Sequence, residues 1–290
     1  MAEASKNLTP VALELGGETG NWCLVRKDAD LRDAARKIAF FIDRRGDELG
    51  ILFILFRMLS DLADKFFAQD MEKLINLAKT LDNINFRGLH FHIGSQILEM
   101  DDFVALSNRI NELQDKLDES GLSIEIINVG GGLGIDYDDP MGNPIPNFAD
   151  YFATYNKYLK LRPGQSVHFE LGRSVVGQCG ALITKVNYVK EGSVKKFAIV
   201  DAGMTDLIRP ALYDAHHKTI NLSSSEAEET YDVVGPICES SDVFDKGIKL
   251  AKTKRGDLIA MLSAGAYGEI MASGYNCRKL PVGYTSDELY

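Results

Sequence analysis

The 290 residues are 45% hydrophobic and 26% charged, ordinary globular proportions that leave room for one large domain or two smaller ones. A formal net charge of −10 argues against a nucleic-acid surface, which needs clustered Lys and Arg, and the most apolar run, "ILFILFRML" from Ile51, is interrupted by Arg57 and too short to span a bilayer. Cys23, Cys179, Cys238 and Cys277 are widely spaced with no metal-ligand pattern, and the start "MAEASKNLTP" lacks a leader-like apolar core. A soluble, cytoplasmic chain with reduced thiols and no metal site is expected.

The first sixty residues read as a strand, a glycine turn and a helix, followed by "FIDRRGDELGILFILFRML", which carries no interpretable motif. From Asp70 the pattern becomes regular. "DMEKLINLAKTL" is a short amphipathic helix, with Met71, Leu74, Leu77, Ala78 and Leu81 on one stripe, and "FRGLHFHIG" is the next strand. "DDFVALSNRINELQDKLDESG" is a clear helix: Asp101 or Asp102 caps it, Phe103, Leu106, Ile110, Leu113 and Leu117 form its apolar face, and Gly121 stops it. "IEIINVGGGLG" has the two-sided apolar texture of a buried parallel strand, "FADYFATYNKYL" is helical, and "SVHFELGR" is a further short strand. Strands alternating with helices predict βα units around a parallel sheet, open or closed into a barrel. After Arg173 the texture changes. "ALITKVNYVKEGSVKKFAIVDAG" reads as two strands joined at Glu191-Gly192, "LSSSEAEET" (222–230) as an exposed loop, and 178–290 as a mainly β domain.

Three loops follow three consecutive strands: "HIGS" (92–95), "GGGLG" (130–134) and "ELGR" (170–173). In a parallel βα array such loops share one face, where ligands bind, and glycine N–H groups there form anion nests. Ser95 and Gly130, Gly131 and Gly132 would hold a phosphate, and Arg173, beside Gly172, adds a charge-assisted bond. His90 and His92 share one strand face. A flat ring with a phosphate arm would stack on His92 while Glu170 faces a ring nitrogen and keeps it protonated by opposite charge, which is what an electron-sink cofactor needs.

"GLHFHIGSQ", "NVGGGLGIDY", "HFELGR", "DAGMTDLIRPALY", "GPICESSDVF" and "GAYGEIMASGYN" resemble, in order, the motif series of diaminopimelate decarboxylases, pyridoxal-phosphate enzymes of the alanine-racemase-like fold group. The resemblance runs from about Asp64 to Tyr290. It implies an α/β plus β fold: the C-terminal part of a TIM (β/α)8 barrel over 64–177, then a β domain over 178–290, in a head-to-tail homodimer with shared active sites. Position by position, it implies that His92 stacks on pyridoxal 5'-phosphate, that Glu170 pairs with the ring nitrogen, and that Ser95, the glycines and Tyr267 take the phosphate. It further implies that Arg173, Arg209 and Tyr213 grip the distal carboxylate of meso-diaminopimelate. Cys238, near the carbon to be reprotonated, and Glu239, on the distal amine, would come from the partner subunit. Arg209 suits a substrate with a second carboxylate and argues against an ornithine- or arginine-type decarboxylase. Outside the motif series, Arg209 would read as a surface ion pair and Cys238 as apolar filler.

Two departures from the family accompany these matches. The resemblance implies a lysine that binds the cofactor as a Schiff base in a "YAxKAN"-like stretch, and Lys27, Lys37 and Lys65 have no such surroundings. Little or no activity is therefore expected of this chain alone, and a non-catalytic fragment or interaction module is the alternative reading. Residues 1–63 read as an unrelated segment, in which "LTPVALELGG" and "DADLRDAARKIAF" (about 5–41) resemble aldehyde dehydrogenase around its general-base glutamate, here Glu14. Glu18 stands where that family has lysine, and Cys23 sits inside a strand-like run, so neither aldehyde oxidation nor a nicotinamide site is expected.

Overall fold

The computed structural model describes residues 11–15, 21–25, 50–57, 75–76, 80 and 84–288. The aldehyde-dehydrogenase-like helix, most of the helix expected over 70–81, and Lys27, Lys37 and Lys65 lie outside the described residues, as does the side chain of Glu14. The chain divides into two compact units, residues 1–132 with 147–171, and residues 133–146 with 172–290.

In the first unit, β1 (Val11–Leu15) and β2 (Asn21–Val25) form an antiparallel pair. A parallel sheet runs β3 (Gly50–Arg57), β4 (Ile84–His92), β5 (Ile126–Asn128), β6 (Ser166–His168). The apolar run weighed above only as a membrane span is thus a sheet strand, paired from Gly50↔Ile84 to Arg57↔His92 with one register shift between Leu52 and Phe53. An unbroken apolar run of this length suits a parallel strand, because such strands are covered on both faces. Gly88 is required where β4 meets β5, since a Cβ there would stand 2.0 Å from the Ile126 carbonyl oxygen.

Helix α1 (Met100–Glu119) buries the five predicted apolar residues, Phe103, Leu106, Ile110, Leu113 and Leu117. Burial on that scale contributes about 2 kcal/mol per side chain before ordering entropy is subtracted. Its start differs from the expected cap. Glu99 occupies the N-cap without a side-chain bond, and Asp101 and Asp102 fall in the first turn, where a negative charge still meets the positive end of the helix dipole. Gly121 takes φ +66°, as a helix stop requires. Helix α2 (Phe148–Tyr158) is capped by Asn147, which accepts from the Asp150 N–H at 3.1 Å. The far end of α2 is secured by α1: Asn111 donates to the Tyr158 carbonyl and accepts from the Lys160 N–H, both at 2.8 Å. One buried amide thereby satisfies backbone groups at and just beyond the helix end.

In the second unit, α3 (Gly172–Val176) leads into β7 (Leu182–Glu191) and β8 (Lys196–Val200). These are the predicted hairpin, closed by the Gly192 N–H on the Lys195 carbonyl at 2.8 Å. Then follow α4 (Arg209–Tyr213), β9 (Thr219–Asn221), β10 (Glu228–Val234), β11 (Val243–Ala251) and β12 (Leu258–Met261). The strand order among the described residues is β11-β10-β8-β7-β12-β9, all neighbours antiparallel except β10 and β8. Alternate inward residues, among them Val186, Val200, Tyr231, Val233 and Ile259, build its core. The loop expected over 222–230 is shorter than its polarity suggests. Glu228, Glu229 and Thr230 pair with β11, and Lys196 holds the Glu229 carboxylate at 2.8 Å. Cross-strand pairing outweighs polar composition there.

Candidate functional site

In the first unit the pleat of β4 puts His90 and His92 on one face, but in different surroundings: His90 is buried and His92 exposed. The chain then turns through Gly94 and Gln96, and the Ile97 N–H reaches the Gly132 carbonyl at 2.8 Å. The glycine run after β5 is a set of close approaches. A Cβ at Gly130 would lie 2.3 Å from the Phe91 carbonyl oxygen, one at Gly131 2.1 Å from that of Glu170, and one at Gly132 2.9 Å from that of Gly94. Gly130 and Gly132 also have φ of +70° and +99°. The turns carrying Ser95, Gly130 to Gly132 and Glu170 therefore meet backbone to backbone.

Glu170 is anchored through its own N–H to the Gly130 carbonyl at 2.8 Å. Its carboxyl lies between His90, with Nε2 3.2 Å from Oε2, and Asn128, whose Nδ2 donates to Oε1 at 2.7 Å. The other end of the Asn128 amide accepts from the Gly130 N–H at 2.8 Å, so one side chain ties the acid to the glycine turn. The hydrogen bond from His90 holds the Glu170 carboxyl below the usual glutamate range. Asn128 and the field of His92 act the same way, and they prevail over the opposing effect of burial. Glu170 is accordingly an anion at neutral pH beside a glycine turn, a combination that suits a ligand with a cationic ring atom and an anionic arm.

The second unit holds a cluster of opposite sign. Tyr137 Oη accepts from Arg173 Nη1 at 2.6 Å and from Arg209 Nη1 at 2.7 Å. Arg209 is only 6% exposed, and no carboxylate pairs with it among the described residues. Its other neighbour is the His217 ring, Nη1 to Nε2 3.3 Å. Burial pushes His217 down to about 4 against the helpful Leu262 carbonyl, with repulsion from Arg209, His216 and Arg173 adding to the effect of burial, so this imidazole is neutral. A buried guanidinium surrounded by neutral acceptors keeps its charge for an incoming anion, and its planar fork suits a carboxylate.

Among the other expected residues, Tyr213 stands on α4 one turn after Arg209, and its ring is exposed. Tyr267 has φ +59° and carries the Arg173 guanidinium 5.2 Å from its ring centroid. Gly172 opens α3 in open space, with no atom within 4 Å of where a Cβ would stand. Cys238 is an exposed free thiol, and Glu239 accepts a hydrogen bond from the Tyr275 hydroxyl. No hydrogen bond or ion pair among the described residues joins Cys238 or Glu239 to Arg209. The Cys238–Glu239 turn is pinned by buried Asp242, which accepts from the Ile237 and Met204 N–H groups, each at 2.6 Å.

Sequence reasoning gave no role to Asn128, Tyr137 or His217, and noted His90 only as sharing a face with His92. Asn128 was detectable as a lone amide at the end of an otherwise apolar strand. Tyr137 and His217 carry no local signal, because their partners are far away in sequence.

The comparisons with known proteins agree with this chemistry. A family model described as pyridoxal-dependent decarboxylase, C-terminal sheet domain, matches residues 32–265, beginning upstream of the motif series. The chain is 69% identical over 221 residues to a diaminopimelate decarboxylase of Bacteroides thetaiotaomicron, covering 76% of this chain and 57% of that protein. It is 39% identical to one of Haemophilus influenzae, covering 72% of this chain and 50% of that protein. The crystal structure of diaminopimelate decarboxylase from Helicobacter pylori complexed with L-lysine superposes with a TM-score of 0.71 at 32% identity, over 84% of this chain and 64% of that one. The chain thus spans about half the length of the curated relatives it matches.

Proposed function

The chain belongs to the pyridoxal-dependent decarboxylases, and from that premise we propose that it serves the decarboxylation of meso-diaminopimelate to L-lysine, with pyridoxal 5'-phosphate as cofactor. The observation that carries the substrate choice is Arg209: a buried guanidinium whose side-chain partners among the described residues are a phenol and a neutral imidazole suits a substrate with a second carboxylate. The names of the similar enzymes, and the L-lysine in the Helicobacter pylori structure, support the same choice.

The residues fit the cofactor at two points. The glycine turn, packed so closely on the Phe91, Glu170 and Gly94 carbonyls that no Cβ fits, would offer backbone N–H groups to a phosphate, and Ser95 and Tyr267 would join it. The ionised Glu170 would hold a proton on a pyridine nitrogen, with His92 against the ring face. When bound, the cofactor supplies a sink for the electron pair left when the bond to the departing carbon dioxide breaks. Arg209, Arg173 and Tyr213 hold the distal carboxylate, and Glu239 pairs with the distal ammonium. Cys238 stands at the carbon that must regain a proton. In this reading Cys238 and Glu239 act across a cytoplasmic head-to-tail homodimer, and the parallel sheet of the first unit is part of an eight-stranded barrel. No helix among the described residues is long and apolar enough to cross a membrane.

Titrating the purified chain with pyridoxal 5'-phosphate tests this. Saturable binding, competed by inorganic phosphate, is the expected result, and the absence of binding overturns the reading. Release of L-lysine from diaminopimelate in the same sample measures the activity of the chain alone, which the sequence places at little or none.

A further inference from the structure

His217 lies outside every motif residue to which the family reading gave a role. It is 2% exposed, and its ring stands edge-on to Tyr137 with centroids 5.3 Å apart. Its Nδ1 lies 2.9 Å from the Leu262 carbonyl oxygen. A carbonyl only accepts, so Nδ1 carries the proton, and in the neutral ring Nε2 is left with a lone pair. That lone pair faces Arg209 Nη1. Tyr137 Oη takes the same Nη1, and this leaves Nη2 and Nε of the fork with no partner among the described residues. The guanidinium is thus held by one corner, with the pair of N–H groups that matches a carboxylate still available.

We propose that His217 is a positioning residue that aims Arg209 at the distal carboxylate, and so sets the preference for a diamino dicarboxylic acid over a diamino monocarboxylic acid. The proposal rests on the function proposed above. The ring does its work only as a neutral acceptor. A charged imidazole would place a proton against Nη1, and an aspartate would neutralise Arg209 outright. The charged and titratable groups around it, Arg209, Arg173, His216 and Tyr137, include no carboxylate that would favour the charged ring, in keeping with its value of about 4.

The carboxylate that leaves is the one L-lysine lacks, so the compound that lacks the distal carboxylate is D-lysine, and the ratio of diaminopimelate to D-lysine affinity isolates the contact in question. The test is calorimetric titration of the whole purified chain with each compound, for the wild type, His217→Leu and His217→Gln. Losing one held charge-assisted contact should lower the preference for diaminopimelate over D-lysine about tenfold in His217→Leu, with D-lysine affinity unchanged. Glutamine can accept from Arg209 and donate to Leu262, so His217→Gln should restore most of the preference. If both affinities fall together in His217→Leu, or if the preference survives in it, the proposal is overturned while the substrate reading stands. A wild type with no preference for diaminopimelate overturns both. Circular dichroism melts of the same samples separate loss of fold from loss of aim. Should His217→Leu not fold, His217→Asp decides: a preserved preference overturns the proposal, and a lost one supports it.

Discussion

The two units hold charge of opposite sign by the same device. In the first, Glu170 is the anion, and its neighbours hold it without a Lys or Arg to cancel its charge: the His90 ring at 3.2 Å and the Asn128 amide, which donates to it. In the second, Arg209 is the cation, and its neighbours accept without a carboxylate to cancel it: the Tyr137 phenol and the His217 ring. Elsewhere in the molecule charges are consumed internally, as where Arg162 joins Asp118 at 2.9 Å, or Lys195 joins Asp232 at 2.7 Å. The difference separates structural ion pairs from the two groups that the proposed function assigns to a ligand. A buried charge without an opposite partner is costly, and it persists only where other atoms solvate it.

The two regions differ in how they are held. Backbone contact fixes the glycine turns, whereas side chains fix the arginine cluster. Gly131→Ala is the most disruptive change expected, because its Cβ would lie 2.1 Å from the Glu170 carbonyl oxygen and neither strand end can yield cheaply. A loss of about 3 kcal/mol by urea denaturation, with abolished cofactor binding, is expected. Arg209→Ala should leave the cofactor titration alone and cut the preference for diaminopimelate over D-lysine, which lacks the distal carboxylate, on the order of 30-fold. An effect of Arg209→Ala on cofactor binding as large as that of Gly131→Ala would break the comparison.

Glu170→Gln should weaken pyridoxal 5'-phosphate binding about tenfold, since the ring nitrogen loses its counter-charge. It also has a pH signature. The Glu170 carboxyl titrates below its usual 4.5 in the folded state, so its contribution to stability is present above about pH 4.5. That contribution is lost as pH falls through the lower folded value. Denaturation of wild type and Glu170→Gln at pH 7 and at pH 3 should show a stability gap that shrinks at the acid end. A gap that widens there would contradict the close His90 ring as the source.

The sequence by itself determined the elements whose signal is local. The stripe Phe103, Leu106, Ile110, Leu113, Leu117 specified α1, Glu191-Gly192 marked the hairpin, and the glycines at 130–132 marked a turn that admits no side chain. Those patterns repeat within a few residues, so a short window contains them. The ordered motif series added the family, because its spacing preserves chemistry that no single loop would identify. Tertiary structure decided the rest. It gave Gly50–Arg57 a place beside β4, which its composition alone did not assign. It chose His90 and Asn128 as the partners of Glu170, and set Tyr137 between two arginines that follow it by 36 and 72 residues. Such contacts depend on where strands and turns meet in space, and hydrogen bonds between residues so far apart leave no periodic trace in the chain.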